Sequence, residues 1–179
     1  ELWGGYRINW GDYCPGRALI ERALTLCRQH GFDEIRLHCL EHMGHRFLQT
    51  DEGGRLRDMG RAIVRLAKKL GKEHHIGLGL RFLGVHCMIE KDFDGAERIL
   101  RHAAELFEEL SLFGRNYTLN LLAPRCYIGE TRQWRGDLDG AMEHFRDCIG
   151  HCSDAGLFWG LSHFHAHAAD AALDMGDWG

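Results

Sequence analysis

A repeated spacing along the chain constrains its fold more than any other feature of the sequence. Turn-forming pairs recur with a period of about 40 residues, and the interval between the third and fourth pairs is slightly longer. These pairs are Gly11-Asp12, Asp51-Glu52, Lys91-Asp92, Gly136-Asp137 and Gly176-Asp177. Small residues recur with the same intervals at Gly4, Gly44, Gly84, Gly129 and Ala169. Because two independent markers share one period, the sequence predicts an array of similar structural units.

Each period contains two helical patterns. In the clearest example the apolar residues fall at i, i+4, i+7, i+8 and i+11, on one face of an α-helix: Ala141, Phe145, Cys148, Ile149 and Cys152. We therefore predict that the chain contains no strand. The second helix of each unit is predicted over residues 16–30, 56–70, 95–110 and 140–154, with boundary errors of about three residues. The longest period contains Pro124 and predicts a kink or a displaced helix start.

Several segments match a known repeat pattern, in which an apolar-Gly pair precedes an aromatic residue and the next helix contains Ala-x3-Phe. MGHRF (43–47) matches the first part, LGVHC (83–87) and IGETR (128–132) match it without the aromatic residue, and AMEHF (141–145) matches the second part. The chain thus resembles a tetratricopeptide-repeat (TPR) array. Its period, longer than that of most TPR proteins, resembles the sensor repeats of large bacterial transcription regulators of the maltose-activator and LuxR type.

This resemblance implies an all-α fold, a right-handed α-solenoid of about 4.5 antiparallel helix pairs, with the first helices lining a concave groove. We expect residues 1–179 to form a single TPR-like domain with units at about 1–31, 32–71, 72–111, 112–156 and 157–179. Neither end has the polar capping repeat that solenoids need, so the chain is expected to be an excerpt of a longer protein. Uncapped ends also favour self-association into a homo-oligomer.

Composition excludes several classes of protein. The formal net charge of -4 over 179 residues argues against direct nucleic-acid binding, which needs a clustered basic surface. No apolar run approaches the length of about 18 residues that a membrane helix requires. The seven cysteines have no framework spacing, so we expect free thiols in a reducing cytoplasm.

Two histidine stripes are candidate metal ligands. Two triplets have the spacing i, i+4 and i+7 on predicted first helices: His38, His42 and His45, and His163, His167 and Asp170. Two imidazoles and a third ligand suit Zn²⁺ or Fe²⁺. Helical HxxxH is nevertheless a weak signal without the glutamate of the HExxH pattern. We therefore favour the alternative in which the stripes are polar walls of the groove, and we expect no metal and no cofactor.

The segment HFRDCIGHC (144–152) raises the same question. Cys148 and Cys152 occupy positions that carry Ala23 and Cys27 in another unit, and free cysteine behaves as a small apolar residue. The segment has no CxxC pair and no closed set of four ligands. We expect these cysteines to pack in a core.

The resemblance places the binding face on the first helices. We expect Trp134 and Arg81 to be its strongest anchors, because aromatic and Arg side chains contribute most of the energy at interfaces. The Lys and Asn residues of the family's carboxylate clamp are missing. The predicted binding residues are His38, Glu41, His42, His45, Arg81, Phe82, Tyr127, Glu130, Trp134, His163, His167 and Asp170.

The sequence favours a binding role over catalysis, because it contains neither a GxSxG elbow nor a GxxxxGK[ST] phosphate loop. The leading hypothesis is a module of a bacterial regulator that senses a peptide, a protein partner or a small effector ligand. The second is a general protein–protein adaptor. The third is a metal-dependent enzyme that uses one histidine stripe.

Overall fold

The described part of the chain consists of α-helices joined by short turns. In this computed structural model it comprises residues 13–50, 52–112 and 118–176, and these ranges contain no strand. The helices are α1 (Tyr13–His30), α2 (Asp33–Phe47), α3 (Leu56–Leu70), α4 (Glu73–Ile89), α5 (Phe93–Leu112), α6 (Thr118–Arg135), α7 (Leu138–Asp154) and α8 (Phe158–Met175), with a 3₁₀ turn at Gly53–Arg55 before α3. The all-α prediction is confirmed, and the four predicted second helices correspond to α1, α3, α5 and α7 within three residues.

The repeated Gly-Asp pair has a local structural cause. Lys91, Gly136 and Gly176 adopt left-handed backbone conformations with φ of 62°, 92° and 75°, which end the preceding helix. The aspartate that follows then caps the next helix: the side chains of Asp92 and Asp137 accept hydrogen bonds of 3.0 and 3.1 Å from backbone N–H groups three residues on. The corresponding markers at residues 11–12, 51 and 177 lie outside the described residues.

The helix starts keep the spacing of the sequence markers. The first helices α2, α4, α6 and α8 begin at Asp33, Glu73, Thr118 and Phe158, so the longer interval again falls between the second and third of them. The five additional residues of the long period therefore displace the start of α6, one of the two predicted outcomes. Pro124 lies buried within α6.

The chain divides into two units, and the first comprises Glu1–Ile89 with α1 to α4. Each helix packs against the next in sequence, and α2 also contacts α4. The α3–α4 crossing is close because it is built on glycine: a Cβ at Gly60 would lie 2.8 Å from the carbonyl oxygen of Gly79. The core is formed by buried apolar side chains, among them Ile20, Leu37, Leu56, Ile63, Leu78 and Phe82.

The second unit comprises Glu90–Gly179 with α5 to α8, and here α6 also contacts α8. Its core includes Leu122, Phe145 and Phe164, together with Cys148 and Cys152, whose predicted packing role is confirmed. The six cysteines whose side chains are described form no disulfide with one another. The superhelix, its groove and the single-domain assignment remain predictions.

Candidate functional site

A carboxylate surrounded by imidazoles lies on α2 in the first unit. Glu41 Oε2 is 3.3 Å from His75 Nε2 and 3.6 Å from His38 Nδ1, and Glu41 Oε1 is 3.8 Å from His45 Nε2. His38 and His45 lie one turn before and one turn after Glu41 on the same helix, whereas His75 comes from α4. We call these four residues the Glu41 cluster.

A buried arginine and a phenyl ring support the Glu41 cluster from α4. One Nη atom of Arg81 is 3.3 Å from His45 Nδ1, and Arg81 is only 5% exposed. The ring of Phe82 meets His45 edge-on with centroids 5.4 Å apart, and the Arg81 guanidinium lies 5.2 Å from that ring's centroid. The ring approaches this closely because Gly44 has no Cβ to obstruct it.

The imidazoles of the Glu41 cluster determine the ionisation state of the Glu41 carboxyl group. Burial alone would raise the pKa of Glu41, but the interactions with His45 and His75 outweigh it and hold that pKa well below its usual range. Burial lowers the pKa of His45, and the Arg81 guanidinium adds to this shift against the opposing effect of Glu41. Glu41 is thus an ionised carboxylate that the neighbouring imidazoles stabilise.

A second carboxylate lies on α6 in the second unit. Glu130 Oε1 is 3.5 Å from His167 Nε2 and 3.8 Å from the sulfur of Cys126. His163 packs edge-on against His167 with ring centroids 4.6 Å apart. The donor atoms of Cys126, His163 and His167 all lie within 4.8 Å of one another. We call these four residues the Glu130 cluster.

Burial dominates the electrostatics of the Glu130 cluster. It raises the pKa of Glu130 to about 7 and the pKa of Cys126 well above its usual value. It also lowers the pKa values of His163 and His167, which favours neutral imidazoles. The Phe145 ring stacks on His167 at 5.6 Å, and Phe145 approaches α6 where Gly129 has no Cβ.

The structure brings together eight of the twelve predicted binding residues. His38, Glu41, His45, Arg81 and Phe82 form or support the Glu41 cluster, and Glu130, His163 and His167 belong to the Glu130 cluster. Arg81 and Phe82 are buried, so they support neighbouring side chains instead of forming an open surface.

The remaining four predicted residues are placed differently. Trp134 is 54% exposed near the end of α6, and Asp170 is exposed on α8 and acts on His167 through its charge. His42 is half-buried and acts on His45 through its charge. Tyr127 is half-buried, and its carbonyl oxygen accepts a hydrogen bond of 2.6 Å from the Thr131 hydroxyl.

Two cluster members, His75 and Cys126, were missed by sequence reasoning. Each contributes to a set of ligands that two different helices bring together, so its own helix carries only part of the pattern. The sequence did contain one signal for Cys126. The number of residues from Glu41 to Cys126 equals the number from Gly44 to Gly129, and these two glycines are members of the repeated series. Cys126 therefore occupies the repeat position of a residue that was already a candidate.

A separate cleft lies outside both clusters, between α1, α2 and α3. It has a volume of about 420 Å³ and is lined by Leu24, Leu40, Met43 and Phe47, with charged residues at its edge. None of the predicted binding residues lines this cleft.

No protein-family model matches the chain, and no curated protein matches it in sequence. The resemblance to TPR arrays therefore depends on the residue pattern described above. Within the described ranges, no helix combines the length and the apolar character that a membrane span needs.

Proposed function

We propose that this chain is the sensing module of a bacterial transcription regulator and that it binds a peptide, a protein partner or a small ligand through its first helices. The module is non-catalytic and operates in the cytoplasm. The TPR-like repeat pattern supports this role, because in arrays of that type the first helices line the ligand-binding face.

Trp134 is the observation that supports the proposed binding face most directly. It is a large aromatic side chain that exposes 54% of its surface from a first helix. Exposed Trp residues are enriched at the energetic centres of interfaces, because they bury a large area at little cost in conformational entropy. Trp134 is therefore expected to insert into an apolar part of the ligand.

The accessible imidazoles indicate which polar groups the first helices can bind. His38 and His45 expose 52% and 43% of their side chains, and His163 is also exposed. Arg81 lies behind His45 and orients it without facing solvent. Imidazole nitrogens can donate or accept hydrogen bonds, so a ligand with amide, hydroxyl or carboxylate groups beside an apolar side chain suits these helices.

A peptide library displayed on phage, selected against the purified chain, tests the proposal. A selected peptide is synthesised and its affinity is measured by calorimetry for the wild type and for Trp134→Ala. We expect the substitution to weaken binding by about thirtyfold, which is the effect of a hot spot of about 2 kcal/mol.

The matched control is Glu143→Ala, at an exposed position on the second helix α7. It should leave the affinity within about twofold, the usual result away from a hot spot. Peptides that bind Trp134→Ala normally but lose affinity for Glu143→Ala would place the binding face on the second helices and contradict the proposal.

The two candidate functions, a transcription regulator and a protein–protein adaptor, differ in the other domains that the same gene product would contain. A helix-turn-helix segment in the same gene product identifies the regulator, and its absence from the complete gene product favours the adaptor. The complete gene sequence decides between these two functions.

A further inference from the structure

We propose that Cys126, Glu130, His163 and His167 form a binding site for one zinc-type divalent cation, which joins α6 to α8. The site does not depend on the sensing role proposed above. It also departs from the expectation, drawn from the sequence alone, that the chain holds no metal.

The helical register brings the four ligands together. Cys126 and Glu130 are four residues apart on α6, and His163 and His167 are four residues apart on α8, so each pair lies on one face of its helix. The two helices contact each other. Two such i, i+4 pairs on neighbouring helices place three donor atoms within 4.8 Å of one another and Glu130 beside them.

The distances are close to those of a bound site. The three donor atoms of Cys126, His163 and His167 lie within 4.8 Å of one another, and Glu130 Oε1 is 3.5 Å from His167 Nε2. A tetrahedral Zn²⁺ with Zn–S of about 2.3 Å and Zn–N of about 2.1 Å separates its ligand atoms by roughly 3.3–3.8 Å. A contraction of about 1 Å among these three donor atoms, within the reach of side-chain rotation, brings them to that spacing. Glu130, which contacts His167 and Cys126, then supplies the fourth ligand through rotation of its own side chain.

The chemistry of the ligands favours zinc. A thiolate, two imidazoles and a carboxylate are the ligand types that zinc takes in proteins, and four of them close a tetrahedral site. Cys126 is 2% exposed, whereas His163 is exposed, so a cation reaches the site from the solvent side of α8. On binding, the Cys126 thiol releases its proton to solvent and the resulting thiolate coordinates the metal.

The charges around the Glu130 cluster also suit a cation. Among the described residues no Lys or Arg forms an ion pair with Glu130, because the two arginines flanking it on α6 are engaged elsewhere: Arg125 with Asp147 and Arg132 with Glu97. The Glu41 cluster differs, since a buried arginine lies 3.3 Å from His45. The donor atoms of His38, Glu41 and His75 also lie within 4.8 Å of one another, but the positive charge of Arg81 makes that cluster the less favourable place for a divalent cation.

Cobalt titration of the full chain, without a His tag and after treatment with a chelator, tests the site. We expect one equivalent of Co²⁺ to produce the intense visible bands of tetrahedral cobalt and a thiolate-to-cobalt charge-transfer band in the near ultraviolet. One equivalent of Zn²⁺ should displace the Co²⁺. Cys126→Ser should abolish the charge-transfer band.

His163→Ala is the second test variant, chosen because its exposed side chain can be removed without opening a core. Removing a residue that only hydrogen-bonds to a metal ligand weakens metal binding by about 10–100-fold. Removing the ligand His163 itself should therefore weaken metal binding by at least about 100-fold. His165→Ala, at an exposed position two residues away on α8, is the matched control and should bind normally.

The site is overturned if the wild type binds no stoichiometric Co²⁺, or if binding survives in both Cys126→Ser and His163→Ala. It is equally overturned if His38→Ala, in the Glu41 cluster, removes the bound metal and His163→Ala does not. Circular dichroism of each variant confirms that it is folded before it is titrated.

Discussion

The Glu41 and Glu130 clusters share part of their construction and differ in their electrostatics. In each, a glutamate on a first helix meets at least one imidazole from the next first helix, and a phenyl ring packs against a glycine of the glutamate's helix. Two further imidazoles around Glu41 come from its own helix, whereas both imidazoles around Glu130 come from α8. Around Glu41 the surrounding histidines hold the carboxylate's pKa well below its usual range. Around Glu130 burial dominates and raises the pKa to about 7.

The electrostatic difference between the clusters shows which features the sequence repeat keeps the same in both units. The repeat sets the positions of Gly44 and Gly129, which are equivalent members of the repeated series. It thereby allows a phenyl ring to approach the helix in both units. The repeat does not set the charges, because the first unit supplies His75 and Arg81, whereas the second supplies Cys126 and two imidazoles, His163 and His167, whose pKa values burial lowers. The chain thus carries a carboxylate stabilised by imidazoles in one unit and, in the other, a carboxylate with which no described Lys or Arg forms an ion pair.

The largest expected effect comes from filling the space at Gly129. A Cβ there would lie 2.6 Å from the Phe145 ring, which is fully buried, so Gly129→Leu forces that ring and the stacked His167 to move. We expect a loss of about 1–3 kcal/mol in the free energy of unfolding, measured by urea denaturation.

Gly150→Ala is the matched control for Gly129→Leu, because it lies within α7 and a Cβ there would meet no atom within 4 Å. It should stabilise the protein by about 0.5–1 kcal/mol through helix propensity. An unchanged stability in Gly129→Leu would show that the equivalent glycines do not hold the rings in place.

Replacing each glutamate by glutamine tests the electrostatic contrast directly. In metal-free protein at neutral pH, Glu41→Gln should lower stability by about 1–2 kcal/mol, because His75 and His45 lose a charged partner. Glu130→Gln should leave stability unchanged or raise it by up to about 1 kcal/mol, because it removes a buried charge that has little compensation. Equal losses in both variants, measured by urea denaturation, would contradict the contrast.

The helices could be predicted from the sequence because their signals are local. Apolar residues at helical spacing mark the buried faces, and the pair of a left-handed residue and a capping aspartate marks the boundaries at Lys91-Asp92 and Gly136-Asp137. The same spacing left open either a kink or a displaced start for α6, and the displaced start is observed.

The clusters could be predicted only in part because they depend on which helix faces meet. His38 and His45 share a helix with Glu41, so their proximity follows from register alone. His75 and Cys126 enter through contacts between helices, and the burial of Arg81 depends on the packing of α2 against α4. The spacing of residues within one helix does not reveal which residues of another helix they will contact.

The smallest effect is the pH dependence of the Glu41→Gln difference. A carboxylate whose folded pKa is depressed adds stability above its unfolded pKa of about 4.3, and that contribution is lost as the pH falls toward the folded value. The stability gap between the wild type and Glu41→Gln should therefore be full at pH 5 and narrow by about 1 kcal/mol toward pH 3. Glu105→Gln, at an exposed position on α5, is the control and should show no gap at any pH. If the Glu41→Gln gap stayed constant down to pH 3 in urea denaturation, Glu41 would contribute through packing alone, and the electrostatic difference between the two clusters would lose its support.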